Sequence, residues 1–241
     1  MHFVPIKTPD QQAALMMHRS RELLVGQRTA LVNALRGHLA ELGIVTAKGI
    51  HRVADLVAEL VGVEHTKIPP LARAALRCLA AQIEAVEMQI QELEALIIEW
   101  HKGNEASRRL AKIPGVGPIT ASAVVATIGD ASNFTSPRHL SAALGLTPRQ
   151  NSSGGKARQV GISKAGNAYL RRLLFIGAIA VIRSKRAQEV GSWLARLLER
   201  RPAKVVAIAL ANKTARVMWA MLRRSEAYRM PTMHAAAAAA A

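Results

Sequence analysis

Three stretches of this sequence carry residues that could do chemistry, and all lie in its second half. The first runs Arg149-Gln150-Asn151-Ser152-Ser153-Gly154-Gly155-Lys156, with Arg158 two positions further on. A hydroxyl followed by two glycines sits on permissive backbone within reach of guanidinium and ammonium groups. Such cations can bind a phosphate and stabilise the charge that develops when it is attacked. A serine is a weak nucleophile that needs a base or a metal to activate it. No Asp, Glu or His stands nearby, and the closest histidine is His139. The same residues also suit a Gly/Ser connection between helices with ordinary surface cations.

The second stretch is Ile113-Pro114-Gly115-Val116-Gly117-Pro118-Ile119-Thr120-Ala121. Gly115 and Gly117 permit a tight turn, and Pro118 presets the first turn of a helix. A turn of this kind exposes backbone N–H groups at a helix N-terminus, a phosphate cradle that reads no base. Gly115, Gly117 and Thr120 are its candidate DNA contacts. The pattern resembles the helix–hairpin–helix of proteins that grip the DNA backbone. The alternative is a tight helix–helix connection with no ligand. In the third stretch, Gly161 to Arg172, Ser163 reads as a helix N-cap. Lys164, Arg171 and Arg172 recur there at helical spacing, either as a nucleic-acid face or as a solvated cationic helix.

Charge favours a polyanion. The formal net charge is +17 with a pI near 11.3, which points to nucleic acid. Residues 1–104 hold 11 basic and 11 acidic side chains, and residues 105–241 hold 22 and 5, so the whole excess sits in the second half. That half is rich in apolar residues, so its charge belongs to a folded surface rather than to a disordered tail.

Other chemistries find little support. The eight histidines show no metal-ligand spacing and the sixteen carboxylates no two-metal cluster, so no metal or other cofactor is expected on this chain. Eight aromatic residues leave little for base stacking. Cys78 is the single cysteine, which excludes an internal disulfide, and its Ala/Leu-rich setting suggests packing. No signal peptide is legible and no apolar run reaches the ~20 residues of a membrane helix. A cytoplasmic protein with no membrane partner is expected.

The elements that must position these residues are helical. Thr8-Pro9-Asp10-Gln11 is a helix start that leads through Leu15, Arg19, Leu23, Leu24, Leu31, Leu35 and Leu39 to Gly43. A short helix is suggested over 49–61, and Pro69-Pro70 begins the next. Leu76, Leu79, Ile83, Val86, Ile90, Leu93, Ile97 and Trp100 then keep an unbroken 3-4 spacing, the signature of a coiled-coil seam. Its partner is either residues 9–42 or a second copy. Gly103-Asn104 stops that helix. Beyond it the pattern gives helices near 105–112, 117–128, 136–143, 165–183, 187–199 and 202–225, with almost no strand signal. The fold class is therefore all-α. A helical coiled-coil region spans 1–104, a basic domain with the hairpin turn and serine loop spans 105–230, and a tail over 231–241, ending in seven alanines, is expected to lie outside the native fold.

In order, HFVPIKTPDQQ, RELLVGQRTALVNALRG, IPGVGPITA, LGLTPRQNSSGGK, GISKAGNAYLRRLL and KVVAIALANKTARVMW closely resemble the IS110 family of insertion-sequence transposases, also named after its IS116 and IS902 members. The likeness covers essentially residues 2–230. It implies a RuvC-like domain with a DEDD metal site, a coiled coil, and a C-terminal domain with a catalytic serine. It also implies Mg²⁺ in the complete enzyme, a guide RNA, and recombination between donor and target DNA. The serine before glycine in the family pattern falls on Ser153, with Ser152 as second choice. Arg149, Lys156 and Lys164 match the flanking basic positions. The DEDD carboxylates have no counterpart here, because the sequence begins where the RuvC-like domain should be finishing. The expected function is that of the C-terminal part of a DNA transposase, working as a homo-oligomer through the coiled coil. The alternative is a non-catalytic dimeric nucleic-acid-binding remnant.

Overall fold

The computed structural model describes residues 6–45, 68–150, 159–184 and 192–229. Its described residues are predominantly helical. The chain forms two compact units: Met16–Leu96 is one, and Met1–Leu15 with Ile97–Ala241 is the other. The first is neutral, with nine basic and nine acidic residues, and the second holds the entire excess of +17.

Helix α1, Pro9–Glu41, starts on a reciprocal cap. The Thr8 hydroxyl accepts from the Gln11 N–H at 3.2 Å while the Gln11 side chain accepts from the Thr8 N–H at 3.1 Å. Helix α2, Pro70–Gly103, begins at the second proline of its pair. Within the first unit the two helices run antiparallel. Arg21 pairs with Glu94 and Arg28 with Glu87, each at 2.5 Å. Val32, Leu35 and Leu39 of α1 pack with Leu76, Ala80 and Ile83 of α2. The apolar seam of α2 is thus used inside the chain, the first of its two possible partnerships. Val86 and Ile90 are buried as the 3-4 spacing requires, each such side chain being worth about 1.5–3 kcal/mol. The half-exposed ion pairs contribute about 0–1 kcal/mol each. Cys78, expected in the packing, instead lies exposed on α2, because it falls between seam positions Leu76 and Leu79. The helix suggested over 49–61 lies outside the described residues.

His18 is a buried polar group of this unit, only 2% exposed. Burial first, and the Arg21 guanidinium second, push its pKa down from 6.5 to about 4. The folded state therefore binds fewer protons than the unfolded chain between those values. Stability is complete above pH 6.5 and is lost as pH falls toward 4, by up to about 3 kcal/mol. Urea unfolding at pH 7 and pH 4.5 should show this decline, and His18→Gln should shrink the difference between the two pH values. An equal pH dependence in the variant would refute the assignment.

The second unit is assembled from short capped helices. Asn104 caps α3, Glu105–Leu110, by accepting from the Ser107 N–H at 2.9 Å. Helix α4, Pro118–Ile128, follows a seven-residue turn. A 3-10 turn at Ala131–Asn133 leads to α5, Pro137–Ala143, capped by Ser136. Then comes the one short β ribbon among the described residues of this otherwise helical fold. Pro148–Gln150 (β1) and Gln159–Ile162 (β2) pair antiparallel, Arg149 opposite Val160 and Gln150 opposite Gln159. Helices α6 (Ala168–Arg183), α7 (Ser192–Arg200) and α8 (Ala203–Arg224) complete the unit.

Helix α8 lies at the centre, burying Val206, Leu210, Ala211, Met218 and Met221, and packs on α5, α6 and α7. Its 22 residues are long and apolar enough to cross a membrane by length and composition. Here that apolarity is used by the core, and the same helix carries exposed Lys213 and Arg216. Residues before Met16 belong to this unit through contacts such as Trp100 Nε1 donating to Asp10 at 3.3 Å.

Candidate nucleic-acid interface

The turn between α3 and α4 is held by its own backbone. Ala111 N–H donates to Ser107 O, Ile113 N–H to Leu110 O and Val116 N–H to Ile113 O, each at 3.0 Å. Gly115 has φ +80°, and a Cβ there would stand 2.6 Å from Gly177 O of α6 and 2.7 Å from Val181 Cγ2. Its glycine is therefore dictated by packing of the turn onto α6. Gly117 is different. It is the N-cap of α4, extended at φ −88°, with no side-chain cap and open space where a Cβ would go. Helix α4 thus begins with first-turn N–H groups that no cap side chain covers, beside exposed Gly117, Pro118 and Lys112. Thr120, expected as a contact at the turn, is instead buried at 7% exposure.

The ribbon is anchored at its root. Gly166, at φ +82°, passes so close to Ala143 O that any side chain would collide with it, and Gly145 meets Ala165 in the same way. Ser163 N–H donates to Thr147 O at 2.9 Å and Lys164 N–H to Gly145 O at 3.2 Å. Asn212 of α8 donates its side-chain amide to Leu146 O at 3.0 Å. Arg171 donates from Nη1 to Leu144 O at 2.9 Å and to Ala165 O at 3.1 Å. These bonds fix the two strands whose paired ends, Gln150 and Gln159, flank the serine segment. Ser152, Ser153, Lys156 and Arg158 themselves lie outside the described residues.

Several expected placements change. Ser163 does not cap a helix but extends the ribbon. The α6 cap is Asn167, whose side chain accepts from the Leu170 N–H at 3.0 Å. Gly166 and Lys164, the latter a non-glycine residue at φ +57°, turn the chain before the helix begins. Lys164, Arg171 and Arg172 consequently do not form one helical face. Lys164 is exposed in the turn, Arg171 is turned inward as a clamp, and Arg172 is exposed with its guanidinium 5.8 Å from the Tyr169 ring. Arg149 is exposed on β1. Sequence reasoning missed Gly177, Asn167 and Asn212, whose roles depend on partners far along the chain.

The electrostatics are one-sided. Of the few acids, Glu105 pairs with Arg109 at 2.6 Å. Asp130 is held below the usual carboxylate range by hydrogen bonds from Ser132, with Arg223 adding to the effect. His101 is pushed below its ordinary value by burial and then by Arg108, and its Nδ1 lies 2.7 Å from Ser107 Oγ. Among the described residues no three His, Cys, Asp or Glu converge as metal ligands.

Over 232 residues the chain is 44% identical to a probable family 20 transposase of Pseudomonas aeruginosa, covering 95% of this chain and 69% of that protein. It belongs to the IS116/IS110/IS902 transposase family. The model of that family matches residues 107–191, which run from α3 through the turn, the ribbon and α6. The chain is also 40% identical over 235 residues to the transposase of insertion element IS1111A of Coxiella burnetii. That match covers 95% of this chain and 64% of the relative. A further match at 39% identity over 221 residues is to the transposase of IS1328 of Yersinia enterocolitica, covering 91% and 65%. The chain thus spans about two thirds of the length of these transposases, and the turn and ribbon are the part that the family model recognises.

Proposed function

We propose that this chain is the DNA-engaging C-terminal part of an insertion-sequence transposase. The observation that carries this is the uncapped Gly117–Pro118 helix start, set in a folded unit that holds the whole net charge of +17. The turn and its flanking cations grip duplex phosphates without reading bases. In the complete enzyme Ser153 Oγ attacks a DNA phosphodiester. The serine hydroxyl gives up its proton, a serine–phosphate bond forms, the P–O bond to the departing strand breaks, and that strand's oxygen takes up one proton in exchange. Arg149, Lys156 and Arg158 stabilise the charge on the phosphate under attack. The family resemblance supplies the serine's role, the Mg²⁺ and a guide RNA. The described residues do not fit a Mg²⁺ site, so no step on this chain is routed through the metal.

The protein acts in the cytoplasm. It works as a homo-oligomer, and because the α2 seam is occupied by α1, the outer helix faces with exposed Leu23 and Met88 are left for a second copy. Duplex affinity measured across salt concentration tests the binding role. If about six phosphates are neutralised, log K should fall against log salt with a slope near −5. A flat dependence would remove the DNA-binding function.

A further inference from the structure

One face of α8 sits in an open groove of about 470 Å³ that the reading above leaves unused. Ala209, Asn212, Lys213 and Arg216 recur at helical spacing along its floor, and Trp193 of α7 and Pro137 of α5 also line it. Among the described residues that line it, none is acidic. Lys213 Nζ lies 4.6 Å from the centroid of the Trp193 ring, and Trp193 is 37% exposed. Arg216 is exposed. Asn212 donates one amide N–H to Leu146 O, and its side-chain oxygen accepts from none of the described residues. The small Ala209 leaves width on the helix surface. Trp193 and Lys213 also wall a cavity of about 40 Å³ together with Ile113 and Pro114 of the α3–α4 turn, so the groove adjoins the turn that holds duplex backbone.

Two cations, a flat indole and an amide oxygen match a phosphate, a base face and a base edge. Only an unpaired base can offer its face, because bases within a duplex are already stacked on their neighbours. Stacking outweighs an exposed cation–π contact, so a base can displace Lys213 from the ring toward its own phosphate. We propose that this groove holds an unpaired nucleotide, its phosphate on Lys213 and Arg216 and its base against Trp193. The assignment rests on the nucleic-acid function above and adds a single-strand contact to it.

The test uses the full chain with fluorescein-labelled ten-nucleotide oligothymidine, the matching oligouridine, and a duplex of equal length. Trp193→Ala should weaken both single strands about tenfold and leave duplex affinity within about twofold, since duplex backbone is held elsewhere. Trp193→Phe keeps a stacking ring and should retain most of the affinity, while removing the indole quenching that single strands produce in the parent protein. Arg216→Gln should reduce the single-strand salt slope by about 1. Thermal melts of each variant verify the fold, and Trp193→Phe answers the question if Trp193→Ala unfolds. Stronger binding of oligouridine would assign the groove to RNA, and stronger binding of oligothymidine to a displaced DNA strand. Unchanged single-strand affinity with no Trp193-dependent quenching, or equal losses on single and double strands, would overturn the groove assignment. Duplex binding would then still stand by itself, whereas salt-insensitive binding in every arm would remove both.

Discussion

Replacing Ser153 with alanine is expected to abolish a covalent protein–DNA adduct while leaving DNA affinity within about twofold. The hydroxyl oxygen is the proposed nucleophile, so its loss removes the reaction path itself, with a fall of at least about 10³-fold. It carries no charge, so the phosphate contacts that dominate affinity remain. The measurement is adduct formation on end-labelled element-junction DNA with its RNA and Mg²⁺. It is run with and without a separately supplied RuvC-like domain, with Ser152→Ala alongside. An adduct lost only in Ser153→Ala establishes the nucleophile. Loss only in Ser152→Ala moves the role one residue. Salt-sensitive binding with no adduct under any condition would make this chain a non-catalytic nucleic-acid-binding protein.

Gly115 and Gly117, two residues apart, should respond to substitution in opposite ways. Gly115→Ala places a Cβ at φ +80° and 2.6 Å from a backbone carbonyl of α6. Left-handed backbone costs a non-glycine residue about 1–2 kcal/mol, and overpacking adds about 1–3 kcal/mol. Backbone cannot step aside as a flexible side chain can. A total near 3 kcal/mol is a large share of the ~5–15 kcal/mol that holds a domain together, and thermal unfolding followed by circular dichroism should show the midpoint fall by many degrees. Gly117→Val meets open space in extended backbone, so its cost is limited to that of a poorer N-cap residue, about 1 kcal/mol. Its branched side chain would shield the first-turn N–H groups of α4, so duplex affinity should drop several-fold while the melt falls far less than in Gly115→Ala. An unaltered duplex affinity in Gly117→Val would reduce the turn to a helix connection.

Much of this protein was legible in its sequence. The helix start at Thr8-Pro9 was readable because caps and prolines act within one turn. The α2 seam was readable because apolar periodicity is local, and the charge division because it is a matter of counting. Tertiary structure decided what those signals are used for. Gly115 has the spacing of a phosphate turn, yet its glycine is required by Gly177, 62 positions away. Arg171 has the spacing of a surface cation, yet it clamps Leu144 O and Ala165 O. The ribbon escaped the strand signals because its strands are three and four residues long. Its register is held by bonds to α5, α6 and α8 that no local pattern encodes. Trp193, Lys213 and Arg216 became a groove only when α7 folded across α8. Local conformational preference is written within a few residues of chain, whereas a close backbone approach or a shared cavity exists only where distant segments meet.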